Sequence, residues 1–211
     1  GPFVNDETHP DNTAQYHSAN AGKYMLSLDL SNEAANAVVW DLVDWADVVI
    51  EAFTPKAMKN WGLDYQSIKA RKPEIVMLSS CLMGQTGPMN MYPGFGVLAA
   101  ALGGFYEITG WPDRAPTGPF LAYTDYTAPR FTVAALMAAV DHRNRTGEGV
   151  YVDLSQHESA LHLLGPALLD QAANGRTATR TGNVSDRYSV HGVYRTAGED
   201  KWIAIVCQDR E

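Results

Sequence analysis

The stretch with the clearest chemical potential is Thr117-Gly118-Pro119-Phe120-Leu121-Ala122-Tyr123-Thr124-Asp125-Tyr126-Thr127-Ala128-Pro129. Asp125 sits there in mostly apolar company, just before a long helical pattern. A carboxylate at that point could be held by the positive end of the helix. The same position suits an N-cap, and spacing alone favours the cap. Asp113 and Glu51 are further carboxylates at loop ends. Other motifs carry less. Gly94-Phe95-Gly96-Val97-Leu98-Ala99 spells a dinucleotide-binding pattern, but the preceding predicted strand ends at Ser79, too far back for the tight strand-to-helix turn that pattern requires. His157-Glu158 with His162 is one residue too long for a helical metal pair, because five steps of ~100° leave the two imidazoles apart. They read as helix-surface histidines, and no metal site is expected. Asn183-Val184-Ser185 is a glycosylation sequon by spelling only, and no nucleophile elbow, phosphate loop or Cys–His pair appears.

The elements that must position Asp125 read as alternating strands and helices. Lys23 to Leu30 alternates like a strand. Ser31 and Asn32 suit the cap of a helix whose Val38, Val39, Leu42, Val43 and Ala46 share a face. Asp47 to Glu51 is a short buried-strand pattern, and Pro55 opens a short helix ending near Gly62. A helical stretch covers 65–72, a buried strand 75–79, a Gly/Pro/Met/Asn-rich loop 81–96 and a packed helix 97–102. A second loop covers 109–126, followed by a helix over 127–144, a strand over 150–154 and a helix over 156–174 capped at Gly175. This order predicts an α/β fold, a Rossmann-like parallel sheet with flanking helices. Residues 192–195 and 202–206 read as a hairpin that begins a second, smaller α+β domain. The expected organisation is a polar opening segment over 1–22, the large domain over 23–174, a linker over 175–187 and the start of the small domain over 188–211.

Bulk properties narrow the function. A chain of 211 residues with 45% hydrophobic content can bury a sizeable core. Its formal net charge of -8 argues against nucleic acid as a partner. Any anionic ligand must be held locally. Cys81 and Cys207 lie far apart in no redox spacing, so a reducing cytoplasm is the expected setting. No apolar run nears the ~20 residues needed to span a bilayer, and the N-terminus lacks signal-peptide character. The chain opens on Gly1 rather than Met and runs out directly after a strand-like segment, so a piece of a longer protein is expected.

Several segments, in order, resemble family III coenzyme A transferases, the CaiB/BaiF or carnitine and formyl-CoA transferase-like group. They are Asn20-Ala21-Gly22-Lys23 running into Leu26-Ser27-Leu28-Asp29-Leu30; Ala46-Asp47-Val48-Val49-Ile50-Glu51-Ala52-Phe53 with Pro55, Met58, Gly62 and Leu63; and Gly84-Gln85-Thr86-Gly87-Pro88. Thr109-Gly110 and Pro116-Thr117-Gly118 then precede Asp125 as the family's sites precede its catalytic Asp. Arg145-Thr146-Gly147-Glu148-Gly149 with Val152-Asp153-Leu154-Ser155, and Gly182-Asn183 with His191-Gly192-Val193-Tyr194, complete the set. The resemblance implies interlocked homodimers and chains roughly twice as long. It implies that Asp125 attacks an acyl-CoA thioester to form a mixed anhydride. The released CoA thiolate then captures the aspartyl group, and an incoming carboxylic acid takes over the CoA. Coenzyme A is thus a substrate, and no resident cofactor is implied. Phe53, Lys56, Lys59, Asn60, Gln85, Gly87 and Phe95 are the implied CoA-contacting positions, with the Gly84–Gly87 loop and the Gly182-Asn183 segment as candidate oxyanion donors.

The sequence also departs from the family. Ala52 replaces an Asn near CoA, and Lys56 replaces a Gly. Lys56 or Lys59 could meet a CoA phosphate, although exposed lysines are more often simply solvated. Gly94-Phe95-Gly96 replaces an acidic or tyrosine-containing stretch, and no long Gly run follows Asn183. Tyr123, Tyr126, Trp111 and Phe95 could wall an aromatic pocket, or could be packing residues. Two alternatives stay open. One is epimerisation of a 2-methylacyl-CoA, which needs a His base where this chain has Pro93-Gly94-Phe95-Gly96. The other is a non-catalytic CoA-binding or structural half of a duplicated protein, favoured by Ala52 and Gly96 and opposed by Asp125.

Overall fold

A computed structural model describes residues 3–185 and 187–208. Gly1, Pro2, Asp186 and the last three residues of the expected small domain lie outside the described residues. The chain divides into two compact units, residues 1–40 and 41–211.

In the first unit, short 3-10 turns at Val4–Asp6 and Pro10–Asn12 precede helix α1, Ala14–Asn20. Thr13 caps α1 by accepting the Tyr16 N–H at 3.0 Å. The strand expected over 23–30 does not form. A strand needs neighbours for its N–H and C=O groups, and no described strand pairs with this segment. Its alternation therefore fully buries no side chain: Tyr24 is 104% and Met25 62% exposed, and only Leu28 and Leu30 are partly buried. Helix α2, Glu33–Trp45, follows, its last five residues belonging to the second unit. It begins as expected, with the Asn32 side chain accepting the Ala34 N–H at 2.9 Å.

The second unit holds a parallel sheet of β1 (Val48–Glu51), β2 (Val76–Cys81) and β3 (Val150–Ser155), with β2 in the centre. Val48 pairs with Val76 and Val76 with Val150, so the three strands start in line; β2 and β3 end together at Cys81 and Ser155, and β1 ends at Glu51 opposite Ser79. Ile75, Val76, Met77 and Leu78 are at most 2% exposed, as a central parallel strand covered on both faces requires. Full burial of each such side chain contributes ~1.5–3 kcal/mol. Between β1 and β2 lie α3, Pro55–Asn60, with Pro55 in its first turn, and α4, Tyr65–Arg71. Asp64 caps α4 by accepting the Gln66 and Ser67 N–H groups.

Between β2 and β3 come α5 (Gly96–Leu102), the unexpected short α6 (Phe105–Ile108) and the long α7 (Tyr123–Thr146). Helix α7 starts at Tyr123, four residues ahead of the expected 127. Pro129 lies inside it, where it has no N–H to return to the Asp125 carbonyl. The helix expected over 156–174 is broken into α8 (Gln156–Leu161), a 3-10 turn at His162–Leu164 and α9 (Gly165–Asn174). Pro166 explains the break, since proline is tolerated in a first helical turn and not in a helix interior. Gly175 ends α9 with a left-handed φ of 68°, as anticipated. Ala100, Phe105, Ala160 and Leu164 form a buried cluster that joins α5, α6, α8 and the following turn. Tyr123 packs on this cluster, its ring centroid 4.9 Å from that of Phe105. The start of α7 is therefore fixed by packing.

An antiparallel hairpin, β4 (Val190–Arg195) and β5 (Trp202–Cys207), ends the described chain. Beyond the parallel layer, this hairpin is what the structure shows of the expected second domain.

Candidate active site

A cleft of about 260 Å³ opens beyond the carboxyl ends of β1 and β2, where open parallel sheets bind ligands. Ala52 to Pro55 form one wall, Ser80 to Met83 another, and Tyr92 to Phe95 with Asp125 a third. Asp125 is half-buried in the first turn of α7, and the cap residue is Ala122, so Asp125 is not the N-cap. Its carboxylate is engaged from outside its own helix: Oδ2 accepts the backbone N–H of Gly96 at 3.2 Å. The contact is close because residue 96 has no side chain. A Cβ there would lie 2.8 Å from the Ala122 carbonyl carbon and 2.9 Å from the Asp125 nitrogen. The Gly94-Phe95-Gly96 segment thus serves helix-to-helix approach, and no phosphate turn is built from it.

A second carboxylate lies beneath the opposite wall. Glu51, at the end of β1, is 5% exposed and fully engaged. Its Oε2 accepts the Phe53 N–H at 2.7 Å, and its Oε1 accepts from Gln85 Nε2 at 3.1 Å. Gln85 Nε2 also donates to Cys81 Sγ at 2.7 Å, and the Cys81 thiol donates to the Phe53 carbonyl at 3.1 Å. Burial, reinforced by the nearby Glu51 charge, pushes the Cys81 thiol up to about 12, which keeps it neutral and a donor. Phe53 is thereby clamped at both its N–H and its C=O.

The implied site residues are distributed as follows. Phe53 and Phe95 line the Asp125 cleft with exposed rings. Lys56, Lys59 and Asn60 are exposed on α3, whose first residue, Pro55, lines the cleft. Gln85 braces the loop from within, its N–H donating to Asp153 Oδ1 at 2.8 Å and its carbonyl accepting from Asn90 at 2.9 Å. Gly87 lines a separate cleft of about 190 Å³ with Ser155 and His157. The aromatic group is not assembled. Tyr123 and Tyr126 line another cleft with Arg130 and Phe131, and Trp111 packs on Gly182. His157 turns to the Ala99 carbonyl at 3.1 Å while His162 stacks on Phe131, so the two histidines serve different contacts. No cluster able to hold a metal ion occurs among the described residues.

Sequence reasoning named Glu51 only as a loop-end carboxylate and missed the roles of Gly96 and Asp153. The dinucleotide-like spelling marked Gly96, and the Asp153-Leu154-Ser155 match marked Asp153, but neither disclosed a partner.

The profile of the family described as CoA-transferase family III matches residues 2–211. The chain is 33% identical over 183 residues to the succinyl-CoA–D-citramalate CoA-transferase of Chloroflexus aurantiacus, covering 87% of this chain and 45% of that protein. It is 31% identical over 210 residues to the acetyl-CoA:oxalate CoA-transferase of Acetobacter aceti, covering 98% of this chain and 52% of that protein. A solved CAIB/BAIF family protein from Brucella suis superposes with a TM-score of 0.87 at 30% identity, over 98% of this chain and 54% of that one. The chain spans about half the length of the curated relatives it matches. With an α/β layer that places a carboxylate in a cleft at the strand ends and a profile that runs almost end to end, the chain belongs to CoA-transferase family III.

Proposed function

We propose that the full-length protein transfers coenzyme A from an acyl-CoA thioester to a carboxylic acid through a covalent intermediate on Asp125. The observation that carries this reading is the Asp125 carboxylate itself. It faces the cleft with one oxygen on the Gly96 N–H, and Oδ1 has no partner among the described residues. A carboxylate is a weak nucleophile and gains most from being held near the carbonyl it attacks, a positioning effect worth up to ~7–11 kcal/mol. In the first step Oδ1 adds to the thioester carbonyl and the thiolate leaves, giving a mixed anhydride. The thiolate then adds to the aspartyl carbon and releases the donor acid. The acceptor carboxylate next displaces the thiolate from the aspartyl thioester. Finally the thiolate attacks the acceptor's acyl carbon and frees Asp125. No net proton moves.

The clamped Phe53 and the exposed Phe95 are the surfaces offered to the coenzyme, and Lys56 and Lys59 are the cations offered to its phosphates. A cytoplasmic homodimer belongs to the same proposal, and exposed Leu168 and Leu169 on α9 supply apolar surface for it. The names of the relatives suggest succinyl-CoA and acetyl-CoA as donors, and small dicarboxylic acids as acceptors. Incubation of the full-length protein with either donor, followed by proteolysis and mass measurement, should place a CoA adduct on the peptide bearing Asp125. The adduct should vanish in Asp125→Asn. An unmodified peptide, with deuterium from heavy water appearing at the acyl α-carbon, would show epimerisation instead.

A further inference from the structure

We infer that the backbone N–H of Gly96 is the oxyanion donor for the steps that occur on the carboxyl carbon of Asp125 itself. The inference rests on the aspartyl mechanism proposed above. Gly96 is buried, and its N–H donates to Asp125 Oδ2 at 3.2 Å. Its carbonyl accepts from the hydroxyl of Thr124, which is 0% exposed, at 3.5 Å. The Gly96 peptide is therefore held on both sides by consecutive residues of α7. As the first residue of α5, Gly96 has no acceptor for its N–H within its own helix. That donor is committed to the aspartate alone.

The chemistry divides accordingly. Oδ1 becomes the bridging oxygen of the anhydride, and Oδ2 remains the carbonyl oxygen. When the thiolate adds to the aspartyl carbon, the C–S bond forms and the carbonyl electron pair moves onto Oδ2. Collapse of that adduct expels the donor carboxylate together with Oδ1. When the acceptor carboxylate adds to the aspartyl thioester, the pair moves onto Oδ2 again, and collapse expels the thiolate. Both middle steps thus build charge on the oxygen that Gly96 touches, and the bond shortens as that charge grows. In the first and last steps the charge forms on the substrate's acyl oxygen, which Gly96 does not touch.

The test uses the full-length protein with Gly96 replaced by glycolic acid, which exchanges this N–H for an ester oxygen. The change adds no atom to the crowded contact, and the Phe95 carbonyl, now an ester, still accepts from Leu98 and Ala99, though more weakly. The CoA-loaded protein is isolated, and hydroxylamine is added as a nucleophile toward the aspartyl carbon, with release of CoA thiol as the readout. The wild type should release CoA about 100- to 1,000-fold faster than the ester variant, and the two should react alike once unfolded. Equal rates in the folded proteins would overturn the inference. Should the ester variant not fold, the wild-type adduct carrying carbonyl-labelled Asp decides the matter by infrared spectroscopy. Its thioester stretch should lie below that of the same thioester in an apolar solvent, and a band at or above that value would overturn the inference. Failure of the wild type to form any CoA adduct would instead sink the aspartyl mechanism, and the inference with it.

Discussion

The two sides of the cleft each carry a carboxylate, and they are treated in opposite ways. Glu51 is buried with both oxygens taken, one by the Phe53 N–H and one by Gln85. Asp125 is half-exposed, with one hydrogen bond from Gly96 and a second oxygen left toward the cleft. A fully satisfied acid is a structural part, because any reaction at it would break the contacts that hold it. An acid with one anchored and one open oxygen is oriented and still reactive. Under the proposed mechanism, the difference separates the wall that shapes the cleft from the wall that would react.

Breaking the reactive side should have the largest effect. Asp125→Asn is expected to lower CoA transfer by about 10⁴-fold or more. Its folding stability should change by no more than ~1 kcal/mol, the worth of a single hydrogen bond. Steady-state rates and a denaturant titration on the same preparations check both halves, and a variant that loses stability instead of rate would erase the contrast. On the structural side, Glu51→Ala leaves the Phe53 N–H unpaired and takes one of two acceptors from the Gln85 amide, which keeps Cys81, so it should cost ~2–3 kcal/mol. Glu51→Gln keeps an acceptor and should cost about half as much. Chemical denaturation followed by circular dichroism would read these losses.

A smaller effect sharpens the comparison at Cys81. The folded thiol is held up to about 12 from an ordinary 9.0, so the unfolded chain ionises first. Stability from this group is complete below pH 9.0 and declines as pH rises from 9.0 toward 12, because the folded state keeps a proton the unfolded state releases. At neutral pH, iodoacetamide should label exposed Cys207 and spare buried Cys81. Peptide mapping of the alkylated protein checks this. The smallest change expected is Arg180→Ala, which removes a 3.0 Å ion pair with Glu107. Glu107 is half-exposed, so the loss should be ~0.5–1 kcal/mol, with faster proteolysis between residues 175 and 185 as the more sensitive readout.

Local signals predicted much of this molecule. The runs at β1, β2 and β3, the proline that opens α3, the glycine that ends α9 and the hairpin all follow from patterning that neighbouring residues share. Residues 23–30 carry the same alternation, yet a strand also needs a pairing neighbour, and periodicity holds no information about one. Asp125 stands out by its apolar setting, but its place inside α7 depends on the packing of Tyr123 against Phe105, which spacing alone does not show. The contacts that define the site join Gly96 to Asp125 and Gln85 to Glu51 and Asp153. These residues are distant in sequence and meet only through the tertiary arrangement of the parallel strands and the helices between them. Lys56, Lys59 and Asn60 were named through resemblance, and their exposed positions on α3 set them near the cleft without a contact to define their task.

Residues 175–187 have a composition typical of a slack tether, but several of them are fastened. The Gly182 N–H donates to the Gly110 carbonyl at 2.9 Å, and Arg180 reaches both the carbonyl and the carboxylate of Glu107. His191, at the start of the hairpin, lies 2.6 Å from the Asn183 carbonyl through its Nδ1. The consequence is one of reach. A free chain from Gly175 to Val190 could extend about 50 Å, whereas the length from Gly182 to Val190 allows roughly 26–29 Å. The distance over which this segment can carry the hairpin is thus bounded by where it is fastened beside α6, more than by how many residues it contains.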